Sequence, residues 1–555
     1  MQYARDIAMR DAPACLWVQL ACERHIRDLY RLETRPEYPW QLDLYQAERM
    51  LNAVQMFKHV KGQLAGKLLV LEPWQKFWIG SLFWWVSKST GFRRFRLALI
   101  AVARGNGKSS VIAALALAML ALDGEGGAEI YAAAVTREQA RIVFDCAKQM
   151  VENDREFRSR FGVAVTARSI VQEGTASIFR PLSRDARSLD GLNVHFAVCD
   201  EVAQHRTRDV WDVLLTAMGK RAQPLMCGIT TAGSNQAGIG YELWTYSQRV
   251  LKMERDDETF FAIIYCADEG DDWRDPDSWR KANPNWGVSV MPEQLESLCK
   301  RAESIAAQQA AFMQKHLNLW TGAGTQWLNM VEWRACLDPN INWGLFKPDP
   351  AVLGLDMATK LDLTALVSVN TQHIDGEAHY YVRAWAFIPR DTASRSPVAQ
   401  YATWAEEGWL IITPGGTTDY EAVEDVIVDW ASQTNVVDLG FDPWQSLNLC
   451  KKLEREHEIP VIEVRPTVQN FSPAMREIEA LVREKRIHHD GNPMLEWCLQ
   501  NVEVFEDRKE NIYPRKATPS DEACKIDLAV ALITAMARLM ALDAKGAIDI
   551  TAMIF

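Results

Sequence analysis

Apolar runs alternate with segments of helical periodicity along the first half of the chain. The run 97–102 stops at a glycine-bearing turn, and an apolar segment of helical character follows it over 111–122. The run 129–135 precedes a helical pattern over 136–150, and two later runs end at Asp200 and at Thr230. Strands that alternate with helices predict a parallel sheet. We therefore expect an α/β domain in this half of the chain.

A second pattern begins after residues 322–350, whose glycines and prolines are typical of a linker. The apolar run 351–355 is followed closely by the run 363–369, which predicts a strand that pairs back as a hairpin. A further strand over 436–441 and an apolar helix starting near residue 525 are also predicted. The chain therefore divides into two organised halves, as expected for 555 residues.

Composition narrows the class of protein. With 48% hydrophobic and 24% charged residues the chain reads as globular and soluble, and its longest apolar stretches are shorter than the roughly 20 residues that span a bilayer. The first residues lack the basic-then-apolar order of a secretion signal. Eleven cysteines without a CxxC pair support neither a zinc ribbon nor a disulfide framework, so a reducing cytoplasm is expected. The net charge of −12 argues against a DNA-coating protein, but it leaves room for a local basic channel.

The turn after the first of these strands carries a candidate nucleotide site. It reads Gly105-Asn106-Gly107-Lys108-Ser109-Ser110 and opens a helix. In such a loop the backbone N–H groups and the lysine cradle nucleotide phosphates, and the Ser109 hydroxyl binds Mg²⁺. The consensus glycine five residues before Gly107 is replaced by Val102. An ordinary strand-to-helix turn with a surface lysine is the alternative interpretation.

The strand that ends in Asp200-Glu201 supports the nucleotide interpretation. One carboxylate at such a strand end can hold Mg²⁺ and the second can polarise the attacking water. We assign Asp200 to the metal and Glu201 to the base. A strand followed by a polar cap is the alternative, but the position about 90 residues after the lysine motif favours an ATPase.

Two further positions have predicted roles at the nucleotide. Thr230 and Thr231 cap another buried strand, where their hydroxyls could sense the γ-phosphate and couple its loss to movement, or merely cap a turn. Gln75 stands at a predicted helix start before the first strand, and its amide offers both a donor and an acceptor for the adenine edge. The neighbouring tryptophans are predicted to be core residues.

Aspartates recur in the second half at strand and helix ends. Asp356 and Asp442 each end a predicted strand, and Asp527 stands at the start of the apolar helix. Any one of them could be a cap or turn residue. Together they can converge on two divalent ions, Mg²⁺ or Mn²⁺, which activate water and stabilise the leaving oxygen of a phosphodiester.

This ordered set resembles the large terminase subunit of tailed bacteriophages, the motor that packages DNA into procapsids. The resemblance extends from about Gln46 to Leu539. It rests on residues 61–67, Leu71-Glu72-Pro73-Trp74-Gln75, Ala103-Arg104-Gly105-Asn106-Gly107-Lys108-Ser109, 189–193 before Asp200-Glu201, Asp356 with Asp362, Phe441-Asp442-Pro443-Trp444 and Lys525-Ile526-Asp527.

The resemblance implies an α/β chain with an N-terminal P-loop (ASCE-type) ATPase around a parallel central sheet and a C-terminal RNase H-like nuclease with a mixed sheet. The family commonly lacks the first glycine and carries an arginine at the position of Arg104, which contacts the nucleotide phosphates. Asp362 joins the nuclease metals by family position. Many members carry an arginine before the Asp-Glu pair that reaches a neighbouring subunit's ATP. Asp190 stands there, so Arg184 and Arg187 are the candidates, with a solvated surface charge as the alternative.

The same resemblance implies the partners and the location. They are double-stranded DNA, the portal protein, the small terminase subunit and a homo-oligomeric ring on the procapsid, with a monomer in solution as the other state, in the bacterial host cytoplasm. A helicase-like DNA-remodelling ATPase with an accessory nuclease domain is the alternative function. Candidate DNA-phosphate contacts near the nuclease are the pairs Lys451-Lys452, Lys485-Arg486, Arg508-Lys509 and Arg515-Lys516.

The predicted domain boundaries follow these motifs. They are an N-terminal docking arm over 1–45, the ATPase core over 46–255, a helical lid over 256–325, a linker over 326–350 and the nuclease over 351–555.

Overall fold

A computed structural model gives the three-dimensional structure of the chain. It describes residues 1–62, 64–183, 191–205, 207–236, 238–304, 306–321, 327–357, 362–396, 398, 400–507, 510–516 and 524–552. The chain divides into two compact units, Met1–Thr321 and Gly322–Phe555. Within the described residues, no helix combines the length and the apolar character that a membrane crossing needs.

Unit 1 alternates strands and helices around one sheet. Its helices are α1 (Gln2–Ala8), α2 (Leu16–Thr34), α3 (Leu44–Gln55), α4 (Pro73–Trp84), α5 (Lys108–Leu122), α6 (Arg137–Glu152), α7 (Arg155–Phe161), α8 (Asp209–Ala217), α9 (Ile239–Leu251), α10 (Pro276–Ala282), α11 (Pro292–Ser304) and α12 (Ala306–His316). Its strands are β1 (Trp40–Leu42), β2 (Trp85–Ser87), β3 (Leu97–Ala101), β4 (Glu129–Ala134), β5 (Val163–Val165), β6 (Ile170–Gln172), β7 (Ser177–Ser183), β8 (Val194–Asp200), β9 (Leu225–Thr230) and β10 (Phe260–Ile264).

Eight strands form the main sheet of this unit in the order β10-β3-β9-β8-β4-β7-β6-β5. The six strands from β10 to β7 run parallel, and β6 and β5 continue the edge in antiparallel pairing. Strand β9 lies between β3, which leads into the glycine-bearing turn, and β8, which ends in Asp200. Because parallel strands share one carboxyl edge, the ends of β3, β9 and β8 meet there. Pairing of Ala101 with Thr230 and of Asp200 with Ile229 sets that alignment.

The first helices belong to the core of unit 1, so the docking arm predicted for this segment is wrong. Ile7, Val18 and Cys22 are buried in the same apolar cluster as the central sheet. Buried Arg94 ties α2 to the sheet, since its guanidinium lies 2.7 Å from a carboxylate oxygen of Asp28 and also contacts the side chain of Glu258. Without these carboxylates the buried guanidinium charge would be uncompensated.

The segment predicted as a helical lid holds two structures. Strand β10 completes the main sheet beside β3, so residues 260–264 are part of the parallel core. Helices α10 to α12 build a separate small cluster in which Trp279, Leu295 and Phe312 are buried. The lid prediction describes only these helices.

Unit 2 is built on a mixed sheet. Its strands are β11 (Pro350–Asp356), β12 (Thr364–Ile374), β13 (Glu377–Pro389), β14 (Leu410–Thr413), β15 (Asn435–Phe441), β16 (Val461–Glu463), β17 (Ile487–His489), β18 (Val502–Glu506) and β19 (Ile512–Lys516). Its helices are α13 (Met330–Arg334), α14 (Arg390–Arg395), α15 (Tyr401–Glu406), α16 (Tyr420–Gln433), α17 (Pro443–His457), α18 (Val468–Arg483), α19 (Pro493–Gln500) and α20 (Asp527–Ala552).

The strand order β14-β13-β12-β11-β15-β16 places the two aspartate-ended strands at the centre, and β17 pairs with β13. Strand β12 is antiparallel to both of its neighbours, β11 and β13, as the hairpin prediction required for β11 and β12. Strands β15 and β16 run parallel to β11. Strands β18 and β19 form a separate antiparallel hairpin. This is the mixed, RNase H-like sheet that the sequence resemblance implied.

The segment expected to be a linker is packed into unit 2. Trp333 of α13 is buried and stacks on His489 with ring centroids 4.4 Å apart. Arg334 forms an ion pair with Glu496, and Phe346 is also buried. The glycines and prolines of residues 327–350 therefore shape turns within a folded domain rather than a free connection.

Candidate functional site

The glycine-bearing turn is shaped by two positive backbone angles. Gly105 has a φ of 91° and Gly107 a φ of 75°, a region that residues with a Cβ rarely occupy. Gly107 directly precedes α5, and the first backbone N–H groups of a helix have no hydrogen-bond partner within the helix. Lys108, Ser109 and Ser110 form the first turn of α5 and are half-buried. The loop thus has the form of a phosphate cradle.

Val102 does not need to be glycine in this loop. Its side chain is fully buried and its φ is not positive. Its carbonyl oxygen accepts hydrogen bonds from the Lys108 ammonium at 2.8 Å and from the Thr231 hydroxyl at 3.1 Å. The ammonium also contacts the Thr231 hydroxyl. A valine side chain therefore packs into the core while its backbone anchors the lysine.

The Asp200-Glu201 pair lies on a tight turn. Glu201 has a φ of 48° and precedes a short 3₁₀ helix, Val202–Gln204. Its backbone N–H donates to Oδ1 of Asp200 at 3.0 Å, and a ring nitrogen of His205 lies 3.3 Å from the Asp200 carbonyl oxygen. The Thr230 hydroxyl accepts from the Ala203 N–H at 3.0 Å, so β9 holds the same turn.

Burial and charge perturb the pKa values at this strand edge. Burial, together with the neighbouring Glu201 carboxylate, raises the pKa of Asp200 to about 6. Burial lowers the pKa of Lys108, whereas the Glu201 and Asp200 carboxylates act in the opposite direction. Two carboxylates and an ammonium in one desolvated edge are suited to a metal-bound polyphosphate, which would satisfy both signs of charge.

Asn106 has a different role from the one expected of a phosphate-facing loop residue. Its side chain is buried, and its amide nitrogen donates to Oδ1 of Asn283 at 3.0 Å. Its amide oxygen accepts from the Asn285 N–H, also at 3.0 Å. Ser289 adds a hydrogen bond from its hydroxyl to the Gly105 carbonyl at 2.7 Å. We call Asn106, Asn283 and Asn285 the asparagine cluster; it fixes the loop to the segment before α11.

Gln75 is buried at the third position of α4, beside the loop. Its Oε1 accepts from the Glu72 N–H at 2.9 Å in a capping box. A Cβ added at Gly107 would lie 3.8 Å from its amide nitrogen. The predicted adenine contact uses both the donor and the acceptor of the Gln75 amide. The hydrogen bond from the Glu72 N–H to Gln75 Oε1 therefore has to break when adenine binds.

Of the three arginines predicted to act at the nucleotide, Arg104 lies within the described residues. Arg104 is exposed on the loop, and its backbone N–H donates to the Lys315 carbonyl at the end of α12, at 2.9 Å. Its charge acts on the Lys108 ammonium, so the guanidinium lies within electrostatic range of the lysine. Arg184 and Arg187 lie outside the described residues.

The second site lies at the carboxyl ends of β11 and β15. These strands are parallel, with Leu355 paired to Phe441, so Asp356 and Asp442 leave the sheet side by side. Gly354 and Gly440 are paired in the same register, and α20 crosses them so closely that a Cβ at Gly354 would lie 2.1 Å from the Ala531 carbonyl. Because glycine has no side chain at either position, α20 can approach the sheet closely.

This close approach brings the first residue of α20 to the carboxylates. Burial holds the pKa of Asp356 well above its ordinary value, and the charges of Asp527 and Asp442 raise it further. Burial raises the pKa of Asp527 to about 6, with Asp362 as the next cause. Asp362, Asp442 and Asp527 therefore all lie close enough to Asp356 to interact with it electrostatically.

The donor chemistry of these four side chains suits a divalent cation. Asp527 Oδ2 is buried and has no hydrogen-bond partner among the described residues. All the candidate ligands are carboxylate oxygens, the donors that Mg²⁺ and Mn²⁺ prefer. Asp362 differs from the other three, because its Oδ1 accepts a hydrogen bond from the Lys525 ammonium at 2.6 Å.

The basic pairs predicted to contact DNA are mostly engaged within the protein. Lys452 lies 2.7 Å from Glu424, and Arg486 pairs with Glu484. The Arg515 guanidinium lies 3.6 Å from the ring centroid of Phe505. Arg508 and Lys509 lie outside the described residues. Lys516 remains as a cation that acts electrostatically on Asp356 and Asp527.

Sequence reasoning missed the asparagine cluster and the partner of Asp362. Asn283-Pro284-Asn285 is a recognisable turn sequence. No local signal in the sequence shows that it forms hydrogen bonds with the loop at Asn106, about 180 residues earlier. Lys525 was part of the recognised motif without an assigned role, and a lysine two residues before a metal-site aspartate was a signal that could have been used.

The two units define the class of protein. The first has the strand order and loop of a P-loop ATPase, and the second has an RNase H-like sheet with clustered carboxylates. A family model described as the terminase large subunit ATPase domain matches residues 73–249, and one described as the terminase large subunit endonuclease domain matches residues 254–543. The chain belongs to the terminase large subunit family.

The chain is similar to proteins of a bacterium and of a bacteriophage. The chain is 37% identical over 370 residues to Protein YmfN of Escherichia coli (strain K12), across 65% of this chain and 80% of that protein. It is 26% identical over 498 residues to the terminase large subunit of Enterobacteria phage HK97, across 88% of this chain and 94% of the relative. The crystal structure of the HK97 bacteriophage large terminase aligns with a TM-score of 0.47 and 25% identity, over 89% of this chain and 99% of that one.

Membership confirms the predicted fold class and both enzymatic activities. The chain is an ATPase and an endonuclease, consistent with the packaging and cutting of DNA. Both domains imply dependence on a nucleotide and on divalent metal.

Proposed function

We propose that this chain moves double-stranded viral DNA into a procapsid by ATP hydrolysis and cuts concatemeric DNA at the start and the end of packaging. The observation that carries the proposal is the presence, on one polypeptide, of the Lys108 and Asp200-Glu201 strand edge and of the Asp356, Asp442 and Asp527 cluster. A translocating motor needs the first, and release of a genome-length piece needs the second.

In the ATPase, the loop N–H groups and Lys108 bind the phosphates, and Arg104 approaches them from the mouth. Bound Mg²⁺, held by Ser109 and Asp200, would neutralise charge on the phosphate oxygens. Glu201 accepts a proton from the attacking water. Its turn is held by Thr230 and His205, which keeps the carboxylate in place without a contribution from the substrate.

Lys108 has to leave its present partners when it reaches a nucleotide. Those partners are the Val102 carbonyl and the Thr231 hydroxyl. The next residue, Ala232, donates a hydrogen bond from its backbone N–H to Oδ1 of Asn318 at 2.7 Å. The end of the strand is therefore connected directly to the segment after α12. We propose that Thr230 and Thr231 couple phosphate release to movement along this path.

In the nuclease, Asp356, Asp442 and Asp527 hold the metal, with Asp362 beside them. Two bound ions, Mg²⁺ or Mn²⁺, would activate a water and stabilise the leaving oxygen of the phosphodiester. Lys525 orients Asp362, and Lys516 places a positive charge at the same cluster. These two ammonium groups reduce the repulsion among the four carboxylates before a substrate arrives.

The partners follow from this function. They are a portal protein, a small terminase subunit and a ring of identical subunits on the procapsid, with Arg184 or Arg187 completing a neighbouring subunit's site. The working location is the cytoplasm of a bacterial host. We also propose that the ATPase core extends to about residue 264 and that α10 to α12 form the lid.

A pair of variants tests the function. Lys108→Ala is expected to lose ATP hydrolysis and retain Mn²⁺-dependent cutting of plasmid DNA, whereas Asp442→Asn is expected to do the reverse. Full ATPase activity in Lys108→Ala, or normal cutting by Asp442→Asn, would contradict the corresponding site. Packaging is measured with purified procapsids that carry a portal, where both variants should fail to yield packaged DNA ends.

A further inference from the structure

One tryptophan of this chain is exposed to solvent. The sequence contains 21 tryptophans, all within the described residues, and 20 of them are buried or half-buried. Trp444 is 75% exposed. Its indole makes no hydrogen bond or ring contact with the residues that the structure describes. A single exposed apolar residue is ordinary on a protein surface, so its position decides whether it has a role.

Trp444 lies two residues after Asp442, one of the four aspartates of the proposed nuclease site. Asp442 caps α17, and its Oδ1 accepts a hydrogen bond from the Trp444 N–H at 3.1 Å. Pro443 between them restricts the backbone, since its φ is set by the ring. Trp444 is therefore joined through Pro443 to a carboxylate that interacts electrostatically with Asp356.

The same place is suited to a phosphodiester strand. The amino end of α17, a helix of 15 residues, carries the positive end of its dipole, and Lys516 adds a full positive charge near the cluster. Asp442 is the N-cap of this helix, so a strand whose phosphate reaches Asp442 lies at the start of α17. Its sugars and bases then come within reach of a large flat apolar side chain, and indole rings stack on nucleobases of any sequence.

We infer that Trp444 binds the DNA strand that is cut, by packing its indole against the base and sugar of a nucleotide next to the scissile phosphate. The inference rests on the proposed carboxylate site. The contact adds affinity without reading sequence, because every base presents a similar face. Trp444 is thus a substrate-binding residue that positions the DNA strand relative to the carboxylates.

The test compares Trp444→Ala, Trp444→Phe and a control, Leu345→Ala. Leu345 is 66% exposed and precedes β11, at the opposite edge of the sheet from the aspartates. In Mn²⁺-dependent cutting of plasmid DNA by the full chain, Trp444→Ala is expected to raise KM about tenfold with little change in kcat. Trp444→Phe should recover most of this loss, and Leu345→Ala should match the unaltered chain.

A second readout follows the indole itself. Iodide quenches exposed tryptophans, so a fraction of the fluorescence should be quenched in the unaltered chain and not in Trp444→Phe. A 20-base-pair duplex, added in EDTA to prevent cutting, should protect that fraction. The inference is overturned if Trp444→Ala cuts with an unchanged KM, or if the duplex gives no protection. Normal cutting by Asp442→Asn would instead overturn the carboxylate site.

Discussion

The ammonium nitrogen of Lys108 lies 2.8 Å from the carbonyl oxygen of Val102, the residue that replaces the consensus glycine of the loop. The contact uses only the backbone of Val102, whose side chain is fully buried. The departure from the consensus is therefore compatible with the lysine geometry. Glycine is needed in this loop only at Gly105 and Gly107, where φ is positive.

Restoring the consensus should harm the protein rather than improve it. Val102→Gly removes a buried side chain and adds backbone freedom, which together should lower the free energy of unfolding by about 2–4 kcal/mol. Because the carbonyl that anchors Lys108 remains, kcat for ATP hydrolysis should change by less than about threefold. Thermal melting and steady-state ATPase assays check the two effects. A large gain in kcat would show that the glycine has a catalytic advantage here.

The Thr231 hydroxyl should be needed for turnover. It donates to the Val102 carbonyl and contacts the Lys108 ammonium. Thr231→Val leaves a similar volume but removes the hydroxyl that is proposed to couple phosphate release to movement, so we expect kcat to fall about tenfold. Thr231→Ser keeps the hydroxyl and should retain most of the activity. Equal activities of the Val and Ser variants would exclude a role for the hydroxyl.

The asparagine cluster should stabilise the loop. Asn283 is fully buried, accepts from Asn106, and donates to the carbonyls of Trp279 and His316 at 2.8 and 2.7 Å. Asn283→Ala should lower the free energy of unfolding by about 1–3 kcal/mol. It should also raise KM for ATP several-fold, because the tip of the loop loses its anchor. Ser289→Ala, at the exposed end of the contact, is the matched control and should have a smaller effect on both.

ATP hydrolysis should show an acidic limb near pH 6. Burial raises the pKa of Asp200 to about 6, so this carboxyl takes up a proton as the pH falls through that value. A protonated Asp200 cannot hold Mg²⁺, and kcat/KM should decrease about tenfold per pH unit below the limb. Asp442→Asn, altered only in the nuclease, should keep the same profile. A limb near pH 4 would place Asp200 in solvent.

Removing a nuclease carboxylate should stabilise the metal-free protein. Burial raises the pKa of Asp527 from its ordinary value to about 6, so the folded state favours the protonated form. Its contribution to stability is present below about pH 4 and is lost as the pH rises to about 6. In EDTA, Asp527→Asn should therefore be more stable than the unaltered chain at pH 7.5, by about 1–3 kcal/mol, and equal to it near pH 4.

Binding of Mn²⁺ should reverse the order of stability of Asp527→Asn and the unaltered chain at pH 7.5. Mn²⁺ is expected to raise the melting temperature of the unaltered chain and to leave that of Asp527→Asn almost unchanged, since binding to the folded state stabilises it. Melting curves in EDTA and in Mn²⁺, at both pH values, check this. A similar rise with Mn²⁺ in both chains would contradict the assignment of Asp527 as a ligand.

Local features of the fold were predictable because the information is local. An apolar run, a glycine-bearing turn and a second apolar segment are contiguous, and they form β3, the loop and α5. The same holds for β8 with Asp200 and for the strand ends at Asp356 and Asp442. Errors arose where a segment looked polar or proline-rich but packs into a core, as with α2 and with Trp333.

Pairings between distant segments could not be predicted in this way. The contact of Asn106 with Asn283 joins positions far apart in the chain, and it depends on how α10 to α12 pack beside the sheet. Lys452 appeared in the sequence as a free cation, yet the structure pairs it with Glu424. Charge in a sequence shows which groups are present, but not which of them neutralise one another.

The sequence by itself determined the strand–loop–helix around Gly105 and Gly107, the strand that ends in Asp200 and the aspartates at element ends, because each of these features depends on a few adjacent residues. Only the tertiary structure decided that Val102 could replace glycine, that Gly354 and Gly440 admit α20 to the sheet, and that Trp444 stays in solvent beside Asp442. Those outcomes depend on burial and on close approach between distant segments, which arise only when the whole chain is packed.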